Sequence, residues 1–236
     1  MLGVLGGMGP LATVDFLTKL IENTPASCDQ DHIETIVSSA SHTPDRSSAI
    51  IGTGEDPYPH MKKALVGLER CGADIIAIPC NTAHYWHAAL QKETKLPILH
   101  IVDAVVDQFE SSRCNNGVVG ILATTGTIQA GVYQTRLLNR GYGYVAPALH
   151  SQSDVMHAIR LVKAGQLALA SKILSVQARL LMDAGCTVIA MACTEIPLAL
   201  ADISSDLAPF LVDPTKALAR ACIQAAGLEP VKLSVI

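Results

Sequence analysis

The sequence predicts an α/β fold of two pseudo-symmetric lobes with mostly parallel sheets, and three observations lead there. Short apolar runs alternate with longer helix-compatible stretches along the whole 236-residue chain, the pattern of β-α units repeated around a parallel sheet. Half of the residues are hydrophobic but only 4% are aromatic, so the core is built of Ala, Val, Ile and Leu, which suits strands buried on both faces. The third observation is an internal repeat. The segment Gly72-Ala73-Asp74-Ile75-Ile76-Ala77-Ile78-Pro79-Cys80-Asn81-Thr82 returns as Gly185-Cys186-Thr187-Val188-Ile189-Ala190-Met191-Ala192-Cys193-Thr194-Glu195, with 185 − 72 and 193 − 80 both equal to 113. Each copy reads as a helix end, a glycine stop, a buried strand and then a cysteine followed by polar residues.

In chain order, the first strand is expected at Leu2 to Leu5 and the first helix at Leu11 to Asn23, with Pro10 preset at its first position. Further strands are expected at Ile33 to Ser38, Ile75 to Ile78, Ile98 to Ile101, Val118 to Leu122, Gly143 to Ala146, Val188 to Met191 and Phe210 to Val212. Helices fall between them at Tyr58 to Cys71, Ala83 to Glu93, Ala104 to Ser111, Ala130 to Asn139, Asp154 to Ala164, Leu167 to Ala184 and Pro214 to Ala226. A second echo pairs Gly3-Val4-Leu5-Gly6-Gly7-Met8-Gly9 with Gly120-Ile121-Leu122-Ala123-Thr124-Thr125-Gly126, at the offset 120 − 3 = 117. No Pro/Gly/Ser-rich linker divides the chain, so the repeat sets the boundaries: lobe 1 at 1–102 with 212–236 packing back onto it, and lobe 2 at 103–211. Both lobes read as Rossmann-like. Each carries one cysteine at the carboxyl end of a strand, where open α/β sheets bind ligands. The expected site is the cleft between the lobes, reached by one thiol from each side.

A net charge of −4 with no long basic run leaves no electrostatic footprint for nucleic acid or an anionic membrane. No apolar run is long enough to span a bilayer, and no basic leader precedes the first strand. The expectation is a cytoplasmic protein that handles a small molecule. Seven cysteines, an odd number without a C-x-x-C pair, read as reduced thiols. Cys71, Cys114, Cys186 and Cys222 are expected to be small core residues; Cys28, in a polar loop, receives no assignment.

Several motifs carry candidate chemistry. Gly7-Met8-Gly9-Pro10-Leu11-Ala12 spells a dinucleotide fingerprint, but the next strand runs into Ser39-Ala40-Ser41 without the carboxylate that would hold a ribose. It reads better as a glycine turn whose backbone N–H groups meet a substrate carboxylate. Cys80 and Cys193 each precede a helix start, whose donors are expected to stabilise a thiolate. Zinc is a competing use of Cys80, His84 and Cys193, though no further Cys/His pair completes such a site. In the polar stretch from Thr43 to Pro57, Arg46 has the fork that clamps a carboxylate, against the ordinary fate of a solvated arginine. Lys163 stands at a helix end, where a capping role explains it equally well. The turn Ala123-Thr124-Thr125-Gly126-Thr127 reads as a hydroxyl-rich cradle, or as threonine N-capping, or both.

On these stretches the sequence resembles the aspartate racemase branch of the aspartate/glutamate racemase family. The matching segments are Leu5-Gly6-Gly7-Met8-Gly9-Pro10, Pro44-Asp45-Arg46 with Gly52-x-Gly54-Glu55-Asp56-Pro57, Pro79-Cys80-Asn81-Thr82-Ala83-His84, Leu122-Ala123-Thr124-Thr125-Gly126-Thr127, Val162-Lys163-Ala164-Gly165 and Cys193-Thr194-Glu195. The resemblance implies a dimer of two-lobed subunits without pyridoxal phosphate or metal, with Cys80 and Cys193 as paired acid and base. It implies that Arg46 and Lys163 meet the carboxylates of a dicarboxylic amino acid, aspartate or glutamate. It also implies that Met8, Asn81, Thr82, Thr124, Thr125, Gly126, Thr127 and Thr194 line the pocket. One departure is Ala192, which precedes the second cysteine where glycine is common. The function expected is interconversion of L- and D-aspartate by two thiols. The alternatives are a glutamate or broad-specificity racemase of the same fold and, from another class, a dicarboxylate-binding protein without turnover.

Overall fold

In the computed structural model, which describes residues 1–111, 117–201, 203 and 206–232, two four-stranded sheets form the framework. The first contains β1 (Leu2–Gly6), β2 (Thr35–Ser39), β3 (Ile75–Ala77) and β4 (Ile98–Leu99), in the order β2-β1-β3-β4. The second contains β5 (Val118–Ala123), β6 (Gly143–Val145), β7 (Val188–Ala192) and β8 (Leu211–Val212), in the order β6-β5-β7-β8. Every strand pair is parallel. The α/β expectation and all eight strand positions are therefore present, shifted by a few residues at their ends.

The chain forms two compact units, Met1–Ala104 with Thr215–Ile236, and Val105–Pro214. The repeat seen in the sequence is also a repeat of register: Ile76 pairs with Ile98 in the first sheet, and Ile189 pairs with Leu211 in the second. Close packing repeats too. A Cβ on Gly3 of β1 would lie 2.8 Å from the Ala73 Cβ and 3.4 Å from the Leu68 Cβ, and one on Gly120 of β5 would lie 3.1 Å from the Cys186 Sγ and 3.2 Å from Leu181. The end of the helix before each repeat strand, with the turn that follows it, presses on a glycine in the neighbouring strand: Leu68 and Ala73 on Gly3, and their 113-residue equivalents Leu181 and Cys186 on Gly120. Gly72 (φ +92°) and Gly185 (φ +89°) close those helices in the left-handed conformation that favours glycine.

In unit 1, Leu5, Met61, Leu65, Ile76, Ile78 and Leu90 form a fully buried cluster to which Met8 and Cys80 belong. The terminal helix Pro214–Ala225 also belongs to this unit and buries Leu218, Ala219, Cys222 and Ile223. In unit 2, Leu122, Val155, Leu174, Ile189 and Ile196 form the corresponding cluster, which includes Cys193. No helix among the described residues is long and apolar enough to cross a membrane.

Several local expectations are corrected. Cys71 is exposed rather than core, standing at the C-cap of helix Tyr58–Arg70 just before the Gly72 turn; Cys114 lies outside the described residues. Cys186 and Cys222 are buried as expected. The helix expected from Ala83 starts as a 3-10 turn, Thr82–Trp86, before His87–Gln91 continues as α-helix. The helix expected at Ala130 to Asn139 is present only as Gln134–Asn139, and a further short helix, Thr125–Gln129, precedes it across Gly131 (φ +63°). The polar stretch holds a short helix, Arg46–Ile50, whose N-cap Asp45 accepts from the Ser48 N–H at 2.7 Å.

Candidate active site

Each unit places its repeat cysteine beyond the carboxyl end of the equivalent strand, Cys80 after β3 and Cys193 after β7, and each thiol is 6% exposed. The two surroundings differ chemically, so each is described by itself.

In unit 1, the Cys80 carbonyl is tied to His84. The His84 Nε2 accepts from the Ile101 N–H at 3.1 Å, which leaves the hydrogen on Nδ1, and this donates to the Cys80 carbonyl at 2.9 Å. His84 is buried and packs against His100 at 4.6 Å between ring centroids. Its two nitrogens thus serve the backbone, which is a structural role in place of the zinc ligation weighed above. Asn81 and Thr82 are buried beside Cys80 in sequence. The structure also brings Arg46 to Met8. The guanidinium donates through Nη2 to the Met8 carbonyl at 3.2 Å, and through Nη1 to the carbonyls of Thr43 (3.1 Å) and Pro44 (3.0 Å). Arg46 is half-buried and anchored, not a solvated surface arginine, and its buried Nε has no partner among the described residues. The glycine turn is less open to an anion than its sequence suggests, because the Gly7 N–H already donates to the Thr13 hydroxyl at 2.8 Å.

In unit 2, the register Ala123↔Ala192 sets Thr124 and Cys193 at the ends of adjacent strands. Thr124 caps helix Thr125–Gln129: its hydroxyl oxygen accepts from the Thr127 N–H at 3.2 Å and shares a 3.0 Å hydrogen bond with the Thr127 hydroxyl. Buried Gln152 donates to the Ala123 carbonyl at 2.9 Å and the Thr125 hydroxyl at 3.3 Å. Threonine capping is therefore what fixes this turn.

The Cys193 thiol donates to Glu195 Oε2 at 3.0 Å, the Thr194 hydroxyl donates to the same oxygen at 3.3 Å, and the Lys163 ammonium stands 3.8 Å from Oε1. Burial pushes the Cys193 thiol well above the ordinary range, and the Glu195 charge and hydrogen bond push it further, against a smaller opposing pull from the Glu195 N–H and Lys163. The expectation that a helix start stabilises a thiolate at Cys193 is thus corrected. The following helix, Ile196–Ala199, is one turn long, and burial beside a carboxylate outweighs it. In the sequence Glu195 stands out only as the end of the Cys193-Thr194-Glu195 motif. The signal that singles it out is a break in the repeat, for it occupies the position that Thr82 holds in the other copy. Among the described residues, no three His, Cys, Asp or Glu side chains gather as a metal-holding group.

Fold and sites together define a duplicated α/β protein with one buried thiol at the same strand end of each half. The family model for Asp/Glu/hydantoin racemases matches residues 5–222, and the chain belongs to that family. It is an isomerase acting as an amino-acid racemase. The structure of Picrophilus torridus aspartate racemase matches with a TM-score of 0.85 at 31% identity, over 98% of this chain and 96% of that one. An aspartate racemase homologue from Pyrococcus horikoshii matches with a TM-score of 0.75 at 25% identity, over 96% and 98%. The broad specificity amino-acid racemase of Bacillus subtilis is 33% identical over 171 residues, 69% of this chain and 71% of that protein.

Proposed function

We propose that this racemase interconverts L- and D-aspartate, with Cys80 and Cys193 as the paired acid and base at the substrate's α-carbon. The observation that supports this most is the duplicated placement of a buried thiol beyond β3 and β7. Racemisation removes the α-proton on one face and returns a proton on the other, so one group enters as base and its partner as acid. Two thiols can exchange these roles when the opposite enantiomer binds. The charge left on the substrate is enolate-like and resides on the α-carboxylate, which needs oriented donors. Asn81, Thr82, Thr125 and Thr194 are assigned that task. Arg46 is assigned a carboxylate, since its guanidinium is already held in place by three carbonyls. Lys163 is assigned the other. Met8, Thr124, Gly126 and Thr127 complete the walls. The same reading includes a homodimer working in the cytoplasm.

The test is exchange of the α-proton of L- and D-aspartate into deuterated solvent, together with loss of circular dichroism, with no cofactor added. Washout from aspartate is expected; the absence of washout with both aspartate and glutamate overturns the reading. Similarity to the Bacillus subtilis enzyme favours a broader substrate range as the second reading, and equal rates across a panel of neutral and acidic amino acids would establish it. Cys80→Ser and Cys193→Ser are each expected to lower racemisation by about 10²–10⁴-fold or more, the usual size of acid–base contributions. Full activity in either variant rules out the two-thiol scheme.

A further inference from the structure

The two halves are built alike but their cysteines are not partnered alike. Cys193 donates its S–H to a buried carboxylate, Glu195, at 3.0 Å, and Thr194 donates to the same oxygen at 3.3 Å. At the equivalent position of the other copy stands Thr82, which carries no charge. We propose that Glu195 is a positioning residue that keeps the proton on Cys193, so that the two thiols are inequivalent in the resting enzyme and Cys193 waits as the acid. This deepens the two-thiol reading above and rests on it.

The physical argument has three parts. An ionised carboxylate has only lone pairs to offer, so its short contact with sulfur requires the hydrogen to be on Cys193. Ionising that sulfur would turn an attractive S–H···O contact into two anions at hydrogen-bond distance inside a buried pocket, where repulsion is weakly screened. On its other side Glu195 forms an ion pair with Lys163, whose ammonium stands 3.8 Å from Oε1. The charged and titratable groups around Cys193 are then Glu195 on its own loop, Lys163 at the end of helix Leu149–Lys163, and the buried Tyr133 phenol with Asp213 acting on it. Lys163 favours the thiolate, while Glu195 opposes it from closer range.

The consequence for the reaction is a preferred starting form. Cys80, as thiolate, takes the α-proton: an S–H bond forms, the C–H bond breaks, and its electron pair passes into the substrate carboxylate system. Cys193 then delivers its proton to the opposite face, and the electron pair of the S–H bond remains on its sulfur as a thiolate beside Glu195. That product form of the enzyme is the less favourable one, and it relaxes either by the reverse reaction, in which Cys193 takes the α-proton of the opposite enantiomer and Cys80 returns its own, or by exchange with solvent, in which Cys193 gains a proton and Cys80 releases one.

The experiment is a thiol titration, which does not depend on turnover. Thiolate absorbance in the ultraviolet is followed against pH for the full chain and for Glu195→Gln and Glu195→Asp, each subtracted from the same protein carrying Cys193→Ser, so that Cys193 alone is read. Peptide-resolved alkylation of Cys193 by iodoacetamide provides a second readout. Glu195→Gln preserves shape and removes charge, and is expected to bring the onset of ionisation down by about one pH unit or more, the size of a close charge effect. Glu195→Asp retains the charge and is expected to stay closer to the unaltered protein than Glu195→Gln does. The proposal is overturned if Cys193 of the unaltered protein ionises at or below the ordinary thiol range, if Glu195→Gln leaves the onset unmoved, or if Glu195→Asp moves it as far as Glu195→Gln. A negative racemase assay with an intact titration shift would fault the assigned reaction and not the role of Glu195 toward Cys193.

Discussion

At the scale of single residues, Arg46 shows how an ordinary surface type becomes part of a site. Its guanidinium donates to the carbonyls of Met8, Thr43 and Pro44, so the plane of the fork is fixed before any substrate arrives. Lysine keeps the charge but replaces a planar fork of five donors with a single ammonium of three. It cannot hold those carbonyls and offer two parallel hydrogen bonds to a carboxylate at once. Arg46→Lys is therefore expected to raise the KM for aspartate by about tenfold, which is the cost of roughly one charge-assisted hydrogen bond, with a smaller effect on kcat. Steady-state kinetics with both enantiomers check this, and an unchanged KM would remove Arg46 from substrate binding. Glu195 illustrates what a sequence hides at this scale. The repeat alignment sets it opposite Thr82, but only the 3.0 Å contact with Cys193 reveals that it bears on the thiol.

At the scale of elements, the duplication is visible as packing. Gly3 and Gly120 are both pressed by the helix end and turn that precede the repeat strand, but the atoms in the way differ. The Ala73 Cβ, 2.8 Å from a Cβ added at Gly3, belongs to a side chain with no rotamer to change, whereas the Cys186 Sγ, 3.1 Å from one added at Gly120, can turn away. Gly3→Ala is thus expected to destabilise the protein by about 1–3 kcal/mol, the usual cost of overpacking, and by more than Gly120→Ala does. Urea-unfolding midpoints of the two variants compare them, and the reverse order would contradict the packing argument. Strands were legible in the sequence because buried parallel strands are continuous apolar runs, as in Val188–Ala192. Short helices were not. Arg46–Ile50 spans five residues, too few for a helical apolar period, and is defined by the Asp45 cap. The same limit obscured the 3-10 turn Thr82–Trp86, in which His84 bonds to the Cys80 carbonyl just before it and to the distant Ile101 N–H. The placement of Cys80 and Cys193 followed the strands and was legible, whereas the exposure of Cys71 and the hydrogen-bond partners of both thiols' neighbours belong to tertiary structure and were not.

At the scale of the whole molecule, both units bury acidic groups in protonated form, and this sets a pH limit on stability. In unit 1, burial holds the Cys222 thiol of the terminal helix far above the ordinary range. In unit 2, burial raises Cys186, Tyr133 and Cys193, with Glu195 adding to the last. A folded-state value above the unfolded one means that both states hold the proton below about pH 8.5, the ordinary thiol value, so stability is complete there. Above it the unfolded chain releases protons that the folded protein retains, and unfolding gains free energy as pH rises. Each fully buried thiol then contributes a loss of about 1.4 kcal/mol per pH unit until its own folded value is reached. Cys222 is a good reporter because it is buried on the terminal helix and burial is the one cause of its shift. Urea-unfolding free energies between pH 7 and pH 10 are expected to be nearly level at first and then to fall. Cys222→Ala, which removes one of the buried acids, is expected to fall less steeply while starting lower because of the lost packing. Parallel declines in the two proteins would mean that Cys222 ionises in the folded state as readily as in the unfolded one, and the burial of that thiol could not then be a source of alkaline lability.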